Sequence, residues 1–518
     1  MFFIRLFTIF ICVYLLTLIC IAQPHVQIRA MRGVWISSVN NIDFPSNRML
    51  TSKEQQAEFV NILDSLKALN FNAVFVQIRP AADAFYYSAY EGWSEWLSGE
   101  QGVTPIPFYD PLEFMVKEAH ARNIEFHAWF NPFRVSTNRK SELFEGHIIH
   151  RKPHWLVEYG AARYLDPGLP EVRQFVCKVV LDVVQRYDID GVHLDDYFYP
   201  YPEKNTVFKD SLTFSLYKST LYKYQTPDSL AEWRRANIDN LIMQMSVGIK
   251  KSKPYIKFGI SPFAVWRSKV KDPRGTNTQT GATCYDDLHA DIRGWLEKGW
   301  IDYVLPQIYF SHELKAAPFG MLCEWWRNNA FGKHVYIGHA VYKMGDIQAA
   351  NKDSAWLKPH EMPEQIQKAS KSTQGSVFYR WQHLNKNQMR IKDSLRVLFA
   401  EPALMPLMPW LNTPTIPQPA FISLQGCKSG VLLEVPAMPS SDMRWTYHLY
   451  RYEGIVSEMP ALKAEKYLAC FSSETNLFLD NSVMPNKAYT YVLVISDRLG
   501  RHSEAAMSTF VYKKRFRK

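Results

Sequence analysis

The chain has 518 residues, of which 47% are hydrophobic and 21% are charged, and its formal net charge is +10. This composition is typical of a globular protein and excludes a largely disordered chain, while the length allows one large domain and a smaller one. Apart from a cationic run at residues 513–518, the positive charge is spread along the chain, and no groove-reading motif accompanies it. We therefore expect no nucleic-acid partner.

The N-terminus has the pattern of a secretory signal peptide. Arg5 precedes an apolar run from Leu6 to Ile21, and the small residue Ala22 follows, so we predict a signal peptide over residues 1–22. Lipidation at Cys20 is the alternative, although a bulky isoleucine precedes it. No later segment has the roughly 18 apolar residues that span a bilayer. We expect an exported, periplasmic or cell-envelope protein whose only attachment to a membrane would be a lipid anchor at Cys20.

Residues 28–400 alternate short β-rich apolar runs with stretches of helical period, which indicates repeated βα units. Eight such units predict a (β/α)₈ TIM barrel. An open doubly wound sheet is the alternative, but the first strand lacks the glycine-rich phosphate turn of that fold. The eight predicted strands are Arg32–Val39, Asn72–Pro80, Ile124–Pro132, Gly191–Phe198, Lys257–Val265, Asp302–Phe310, His334–Tyr342 and Ser376–Gln382.

The C-terminal part of the chain has a different pattern. Prolines crowd residues 401–419 and predict a linker without regular structure. Residues 420–513 then alternate with period two between turn signals, which predicts a β-sandwich. The stretch "LFLDNSVMPNKAYTYVLVISDRLGRHSE" looks like a fibronectin type III module. We expect this domain to be structural.

In a barrel enzyme, the catalytic groups come from the C-terminal ends of the strands, and the fourth predicted strand ends in Asp195 and Asp196. Strand alternation places Asp195 in phase with His193 and directs it into the barrel mouth, whereas Asp196 is expected to turn to the opposite side or into a neighbouring loop. Carboxylates among aromatic rings suit glycoside hydrolysis. One carboxylate stabilises or attacks the oxocarbenium-like centre, and a second acid protonates the leaving oxygen.

The second acid is open at this point. Asp287 is a candidate, although it and Asp286 lie at a predicted helix start, where capping is the ordinary role. Asp83 and Asp196 are the other candidates, and Glu125 is expected to pair with His193 or Arg79 in the interior. Amide, guanidinium, imidazole and aromatic groups near the strand ends are candidates for binding sugar: Arg79, Asp83, His127, Trp129, Asn131, Arg134, His193, Tyr197, Gln307 and Tyr309.

Three histidines have spacings that would suit a metal, namely His147, His150 and His154. They lie in a predicted loop with no acid in an obvious ligand position, so we expect no metal and no other cofactor.

Several motifs, in order, resemble the glycosyl-hydrolase-like 10 family: "RGVWISS", "VQIRPAADAFYYS", "FHAWFNPFR", "DGVHLDDYFYP", "YDDLHADIRGWLEKGWIDYVLPQIY" and "YIGHAVYK". The resemblance covers about residues 28–400. It implies a secreted or lipid-anchored (β/α)₈ enzyme acting on peptidoglycan glycan strands, including strands without stem peptides. It also implies that Asp195 is the leading carboxylate, in a cleft lined by Arg79, Asp83, Asn131, Arg134, Asp196, Gln307 and Tyr309.

The eighth predicted strand, "VFYRWQHL", departs from the family pattern because it is more aromatic and basic. Two alternative functions stay open from the sequence. One is hydrolysis of another bacterial polysaccharide, such as an N-acetylglucosamine exopolysaccharide, and the other is carbohydrate binding by a barrel without catalysis.

Overall fold

A computed structural model describes residues 29–221, 229–411, 415–421, 423–438, 443–463, 466–472 and 476–513. The predicted signal peptide, Cys20 and most of the terminal cationic run lie outside these residues. Within them, no helix is both long and apolar enough to cross a membrane.

The large domain is a closed barrel of eight parallel strands, β1-β2-β3-β7-β8-β9-β10-β11, in which β11 returns to β1. This confirms the predicted (β/α)₈ barrel. The strands are buried on both faces, as expected where helices surround a parallel sheet. The first eleven strands are β1 (Met31–Ile36), β2 (Ala73–Arg79), β3 (Glu125–Phe130), β4 (Arg134–Ser136), β5 (Leu156–Tyr159), β6 (Ala162–Leu165), β7 (Gly191–Leu194), β8 (Lys257–Ile260), β9 (Tyr303–Val304), β10 (His334–Ala340) and β11 (Gly375–Tyr379).

Helices follow the barrel strands, and local capping explains where several begin. Thr51 and Glu54 form a capping box before the first long helix, and Asp110 caps the helix that begins with Pro111. The α-helices are Ser52–Lys67, Glu95–Ser98, Pro111–Ala121, Ile148–Arg151, Pro170–Arg186, Ser211–Leu221, Ser229–Ser252, Ile292–Glu297, Phe319–Asn328, Ile347–Ala350, Glu361–Ser372, Trp381–Asn385 and Ile391–Leu398. Short 3₁₀ helices cover Val39–Asn41, Pro153–Trp155, Val341–Lys343, Ser354–Leu357 and Gln388–Arg390.

One element was not predicted from the sequence. Between β3 and β7 the chain forms a small antiparallel sheet in the order β4-β6-β5. Its strands are three or four residues long, which is too short for alternation to be evident in the sequence.

The C-terminal domain consists of two antiparallel sheets, which confirms the predicted β-sandwich. Three strands pair in the order β12-β13-β16 and four in the order β15-β14-β17-β18. The likeness to fibronectin type III and the domain boundaries stay predictions. The strands are β12 (Ser423–Cys427), β13 (Gly430–Glu434), β14 (Thr446–Glu453), β15 (Tyr467–Ser472), β16 (Leu477–Asp480), β17 (Lys487–Ser496) and β18 (Ala506–Tyr512).

The β-sandwich contacts the N-terminal end of the barrel strands through a buried ion cluster. Asp190, directly before β7, accepts hydrogen bonds from Arg444 at 2.9 Å and from Arg498 at 3.0 Å. His120 and the amide of Phe126 each lie 2.8 Å from the same carboxylate. Burial alone would raise the pKa of Asp190, but the neighbouring cations, led by Arg444, hold it well below its ordinary value. The cluster fixes the sandwich to the base of β7.

Candidate active site

A cleft of about 400 Å³ opens at the C-terminal ends of the barrel strands. Its lining is mainly aromatic, with two carboxylates, one amide, one hydroxyl and one ammonium group. The lining residues are Trp35, Trp129, Asp195, Asp196, Tyr197, Tyr201, Ser261, Phe263, Gln307, Tyr309, Phe310, Tyr342, Lys343 and Tyr379. Six of the residues proposed from the sequence thus lie together: Trp129, Asp195, Asp196, Tyr197, Gln307 and Tyr309.

Asp195 is held by hydrogen-bond donors from two strand ends. Trp129 Nε1 donates to Oδ2 at 3.1 Å, and Asn131 Nδ2 lies 3.1 and 3.2 Å from the two oxygens. The amide of Tyr197 lies 3.3 Å from Oδ1. Burial raises the pKa of Asp195, while these donors and the charge of Arg134 oppose that rise. The carboxylate is therefore oriented, and its ionised form is supported by several donors.

Asp196 has different donors from those of Asp195, and its pKa is raised by a different set of neighbours. Burial, and next the charge of Asp195, raise its pKa to about 7. The hydroxyl of Tyr201 donates to Oδ2, and the side chain of Gln307 also hydrogen-bonds to the carboxylate. At neutral pH Asp196 thus holds a proton in a substantial fraction of molecules, as a general acid requires.

The sequence-based expectation that Asp196 turns away from the cleft is wrong, because both carboxylates line it. The physical reason is that β7 ends at Leu194. Strand alternation does not extend into the bend that follows, so Asp196 returns to the side of Asp195.

Arg79 and Asp83 are buried and do not belong to the cleft lining. Arg79 is fully buried and forms a bidentate pair with Glu91, while its Nη1 donates to the carbonyls of Asn131 and Pro132. Asp83 is 1% exposed, accepts the amide of Ala81 at 3.0 Å, and has a pKa raised by burial to about 7. Arg79 therefore fixes the segment that carries Asn131.

Arg134 lies beside the cleft. Its amide donates to Asn131 Oδ1 at 2.9 Å, and its guanidinium carbon lies 4.9 Å from the ring centroid of Tyr197. Its charge acts on Asp195 and favours the ionised carboxylate. This position links Arg134 to the cleft through Asp195 and Tyr197.

His127 and His193 occupy the barrel interior below the cleft. His127 hydrogen-bonds Tyr303 at 2.9 Å, and His193 hydrogen-bonds Tyr303 at 3.1 Å and Ser261 at 2.9 Å. Both are fully buried, and burial lowers the pKa of both imidazoles. Through the hydrogen bond between His193 and Ser261, this network holds a residue of the cleft lining in position.

Glu125 has different partners from those expected. Its carboxylate pairs with Lys257 at 2.5 Å and with His127 at 3.2 Å, rather than with His193 or Arg79. Strand alternation places Glu125 one step below His127 on the same strand, and Lys257 at the start of β8 supplies the counter-charge. The prediction named the wrong partners because it took no account of β8.

Asp287 lies outside the cleft lining. Its Oδ2 accepts the amide of Thr283 at 2.7 Å and the Thr283 hydroxyl at 3.0 Å, and it lies in a turn rather than at a helix start. Its neighbour Asp286 pairs with Arg267 at 2.9 Å. Both contacts stabilise the loop after β8.

The histidines proposed as an alternative metal site are also apart from the cleft lining. His147 caps a short helix through its Nδ1, and His154 pairs with Glu171 at 2.8 Å. Across the described ranges, no group of three or more His, Cys, Asp or Glu residues has an arrangement that would hold a metal ion.

Sequence reasoning missed eight lining residues: Trp35, Tyr201, Ser261, Phe263, Phe310, Tyr342, Lys343 and Tyr379. Most lie at or just after the ends of β1, β8, β10 and β11, whose strand ends were not examined for chemistry. Asp195 was identified by the rule that functional groups of a barrel lie at the C-terminal ends of its strands. The same rule, applied to these four strands, identifies the residues at their ends.

Comparison with known proteins gives the family. The family model described as "Glycosyl hydrolase-like 10" matches residues 30–358. The chain belongs to the glycosyl hydrolase-like 10 family. It is 42% identical over 494 residues to the glycosyl hydrolase YngK of Bacillus subtilis, which covers 93% of each chain. It is 36% identical over 384 residues to the glycosyl hydrolase DigH of Escherichia coli K12, which covers 69% of this chain and 84% of that relative.

Among solved structures, the PgaB glycoside hydrolase domain of Bordetella bronchiseptica superposes with a TM-score of 0.45 at 11% identity, over 71% of this chain and 99% of that one. Membership in the glycosyl hydrolase-like 10 family agrees with the resemblance found in the sequence motifs.

Proposed function

We propose that this protein is an exported glycoside hydrolase that cleaves peptidoglycan glycan strands lacking stem peptides. The observation that carries the reaction type is the pair of buried carboxylates, Asp195 and Asp196, with different hydrogen-bond environments in one aromatic cleft. Two acids whose surroundings separate their proton affinities supply an acid and a base or nucleophile within one site.

In this proposal Asp196 protonates the leaving glycosidic oxygen, because its pKa of about 7 keeps a proton available. Asp195, oriented by Trp129 and Asn131, stabilises or attacks the oxocarbenium-like centre as the bond to the leaving oxygen breaks. Tyr309 and Tyr379, whose rings stack with centroids 5.9 Å apart, offer apolar surface for sugar rings.

The substrate assignment is supported by the family motifs and by charge. The net charge of +10 favours association with an anionic polymer, such as a glycan with free carboxylates, over a neutral one. An N-acetylglucosamine exopolysaccharide is the competing substrate, and carbohydrate binding without catalysis is the competing function.

The test is to incubate the purified protein with amidase-treated peptidoglycan and to measure new reducing ends. Asp195→Asn and Asp196→Asn should each lower turnover by at least ~10²-fold, while glycan binding persists. Asp287→Asn is the matched control, because it makes the same chemical change outside the cleft and should keep near-normal turnover.

Full activity of Asp195→Asn would contradict its assigned role. Binding of the glycan by the wild-type protein without new reducing ends would show a non-catalytic barrel. Preferential cleavage of an N-acetylglucosamine polymer would replace the proposed substrate.

A further inference from the structure

Lys343 is the only cation among the described residues that line the cleft. It ends the short 3₁₀ helix after β10, and its Nζ donates to the carbonyl of Tyr309 at 2.7 Å. The aromatic rings of Phe310, Tyr342 and Trp356 lie 5.6–6.0 Å from Nζ. The ammonium group is thus held in place at the cleft wall by a carbonyl and by ring faces.

Within the described part of the chain, Lys343 makes no ion pair with a carboxylate. Asp353 acts on its charge from a distance, but Asp353 Oδ1 accepts the amide of Ala355 at 3.3 Å. An ammonium group has three donors, and one is used by Tyr309. Two donors on this partly exposed cation therefore have no acceptor among the described residues and can meet solvent or an anionic ligand.

Another cation near the cleft, Arg134, already interacts with a cleft carboxylate. Arg134 favours the ionised form of Asp195, so its charge balances a catalytic carboxylate. An anionic sugar entering a cleft that contains Asp195 and Asp196 would be repelled by them unless another cation compensated its charge. Lys343 is the group positioned to do so.

This inference rests on the proposed function. We propose that Lys343 binds the free carboxylate of an acidic sugar and thereby determines specificity for strands without stem peptides. In such strands, the lactyl ether on every second sugar ends in a carboxylate. In strands that carry stem peptides, the same group is a neutral amide. A single ammonium group that contacts the lactyl position therefore distinguishes the two substrates by the charge at that position.

The test measures binding by calorimetry in the Asp195→Asn protein, so that turnover does not interfere. Four oligosaccharides of equal length are compared: the alternating lactyl-bearing glycan with free carboxylates, the same glycan capped as methylamides, an N-acetylglucosamine oligomer, and an alternating N-acetylglucosamine–glucuronate oligomer. We expect the glycan with free lactyl carboxylates to bind ~10- to 100-fold more tightly than the methylamide glycan. This ratio is the one expected for the loss of one charged hydrogen bond.

Adding Lys343→Met or Lys343→Gln should abolish this preference, and Lys343→Arg should retain most of it. Lys352→Met is the matched control, since Lys352 is an exposed neighbour and its loss should leave the preference intact. Two neutral substitutions, Lys343→Met and Lys343→Gln, are compared so that the result does not depend on one variant that fails to fold. Thermal unfolding shows whether each variant is folded.

Equal binding of free and capped glycans, or a preference that survives Lys343→Met, would overturn the inference. Tighter binding of the glucuronate oligomer would overturn the lactyl group as the source of the carboxylate. If the wild-type protein shows the carboxylate preference but releases no reducing ends, the proposed hydrolase function fails while the binding role of Lys343 stands.

Discussion

Asp195 and Asp196 are neighbours in the chain, yet their partners give them different chemistry. Asp195 is surrounded by Trp129, Asn131 and a backbone amide, whereas Asp196 depends on a tyrosine and an amide side chain. Donors that contact a carboxylate favour its ionised form. The kind of donor around each carboxylate, and the charge of Arg134 on Asp195 against that of Asp195 on Asp196, are the basis for assigning the base or nucleophile and the acid.

The pH dependence of activity should follow the protonation of Asp196. Because its pKa is raised to about 7 and the acid form is the active one, kcat/KM should decline as pH rises above about 7. Tyr201 donates to the ionised carboxylate and so lowers this pKa. Tyr201→Phe should therefore raise the pKa of Asp196. The decline of kcat/KM at alkaline pH should then move to higher pH by about one unit. A pH–rate profile checks this, and a limb that stays in place or moves to lower pH would contradict the acid role of Asp196.

At the scale of elements, the loop after β2 supports the end of β3 through one buried ion pair. Arg79 and Glu91 are 0% and 1% exposed in their side chains, and Arg79 also bonds the carbonyl of Asn131. Asn131 in turn contacts Asp195. The position of the proposed catalytic carboxylate thus depends on a charge pair outside the cleft lining.

Glu91→Gln should destabilise the fold by about 3–5 kcal/mol, because it leaves the buried guanidinium of Arg79 without a counter-charge. Urea unfolding measures the change. Glu95→Gln is the matched control, since Glu95 pairs with Arg48 on the surface and its loss should cost less than about 1 kcal/mol. Equal effects of the two substitutions would show that the Arg79–Glu91 pair does not support the fold.

The barrel strands were predictable because each is a short apolar run between turn and helix signals, and Gly191–Leu194 carried Asp195 to the mouth by simple alternation. Three features were not predictable by that reasoning. The bend after Leu194 reversed the expected side of Asp196. The partner of Arg79 lies 12 residues away in an irregular loop. Lys343 follows the end of β10, but its hydrogen bond to the carbonyl of Tyr309 is a tertiary contact that the strand pattern does not give.

At the scale of the whole molecule, the barrel and the β-sandwich are joined by buried ion pairs at their interface. Arg498 of the sandwich is 4% exposed and donates to Asp188, to the carbonyl of Ile189 and to Asp190. An arginine buried between domains has a large desolvation cost, which these acceptors help to offset. The domains should therefore unfold together.

Arg498→Met should lower the free energy of unfolding by about 3 kcal/mol, because Asp190 would keep His120 and the partly exposed Arg444 but lose the buried Arg498. Arg501→Met is the control, since Arg501 pairs with Asp497 within its own turn and its loss should cost about 1 kcal/mol or less. Denaturant unfolding followed by tryptophan fluorescence measures both. Two separate transitions in the wild-type protein would contradict joint unfolding.

The cluster at Asp190 also bears on how this protein can be engineered. Asp190 and Asp195 flank the same four-residue strand, β7, so the sandwich holds one end of the strand whose other end carries the proposed catalytic carboxylates. A barrel expressed without the sandwich would keep every cleft residue, but Asp190 would lose both arginine partners and keep His120. Swapping the C-terminal domain between relatives should therefore succeed only where the incoming domain supplies both arginines.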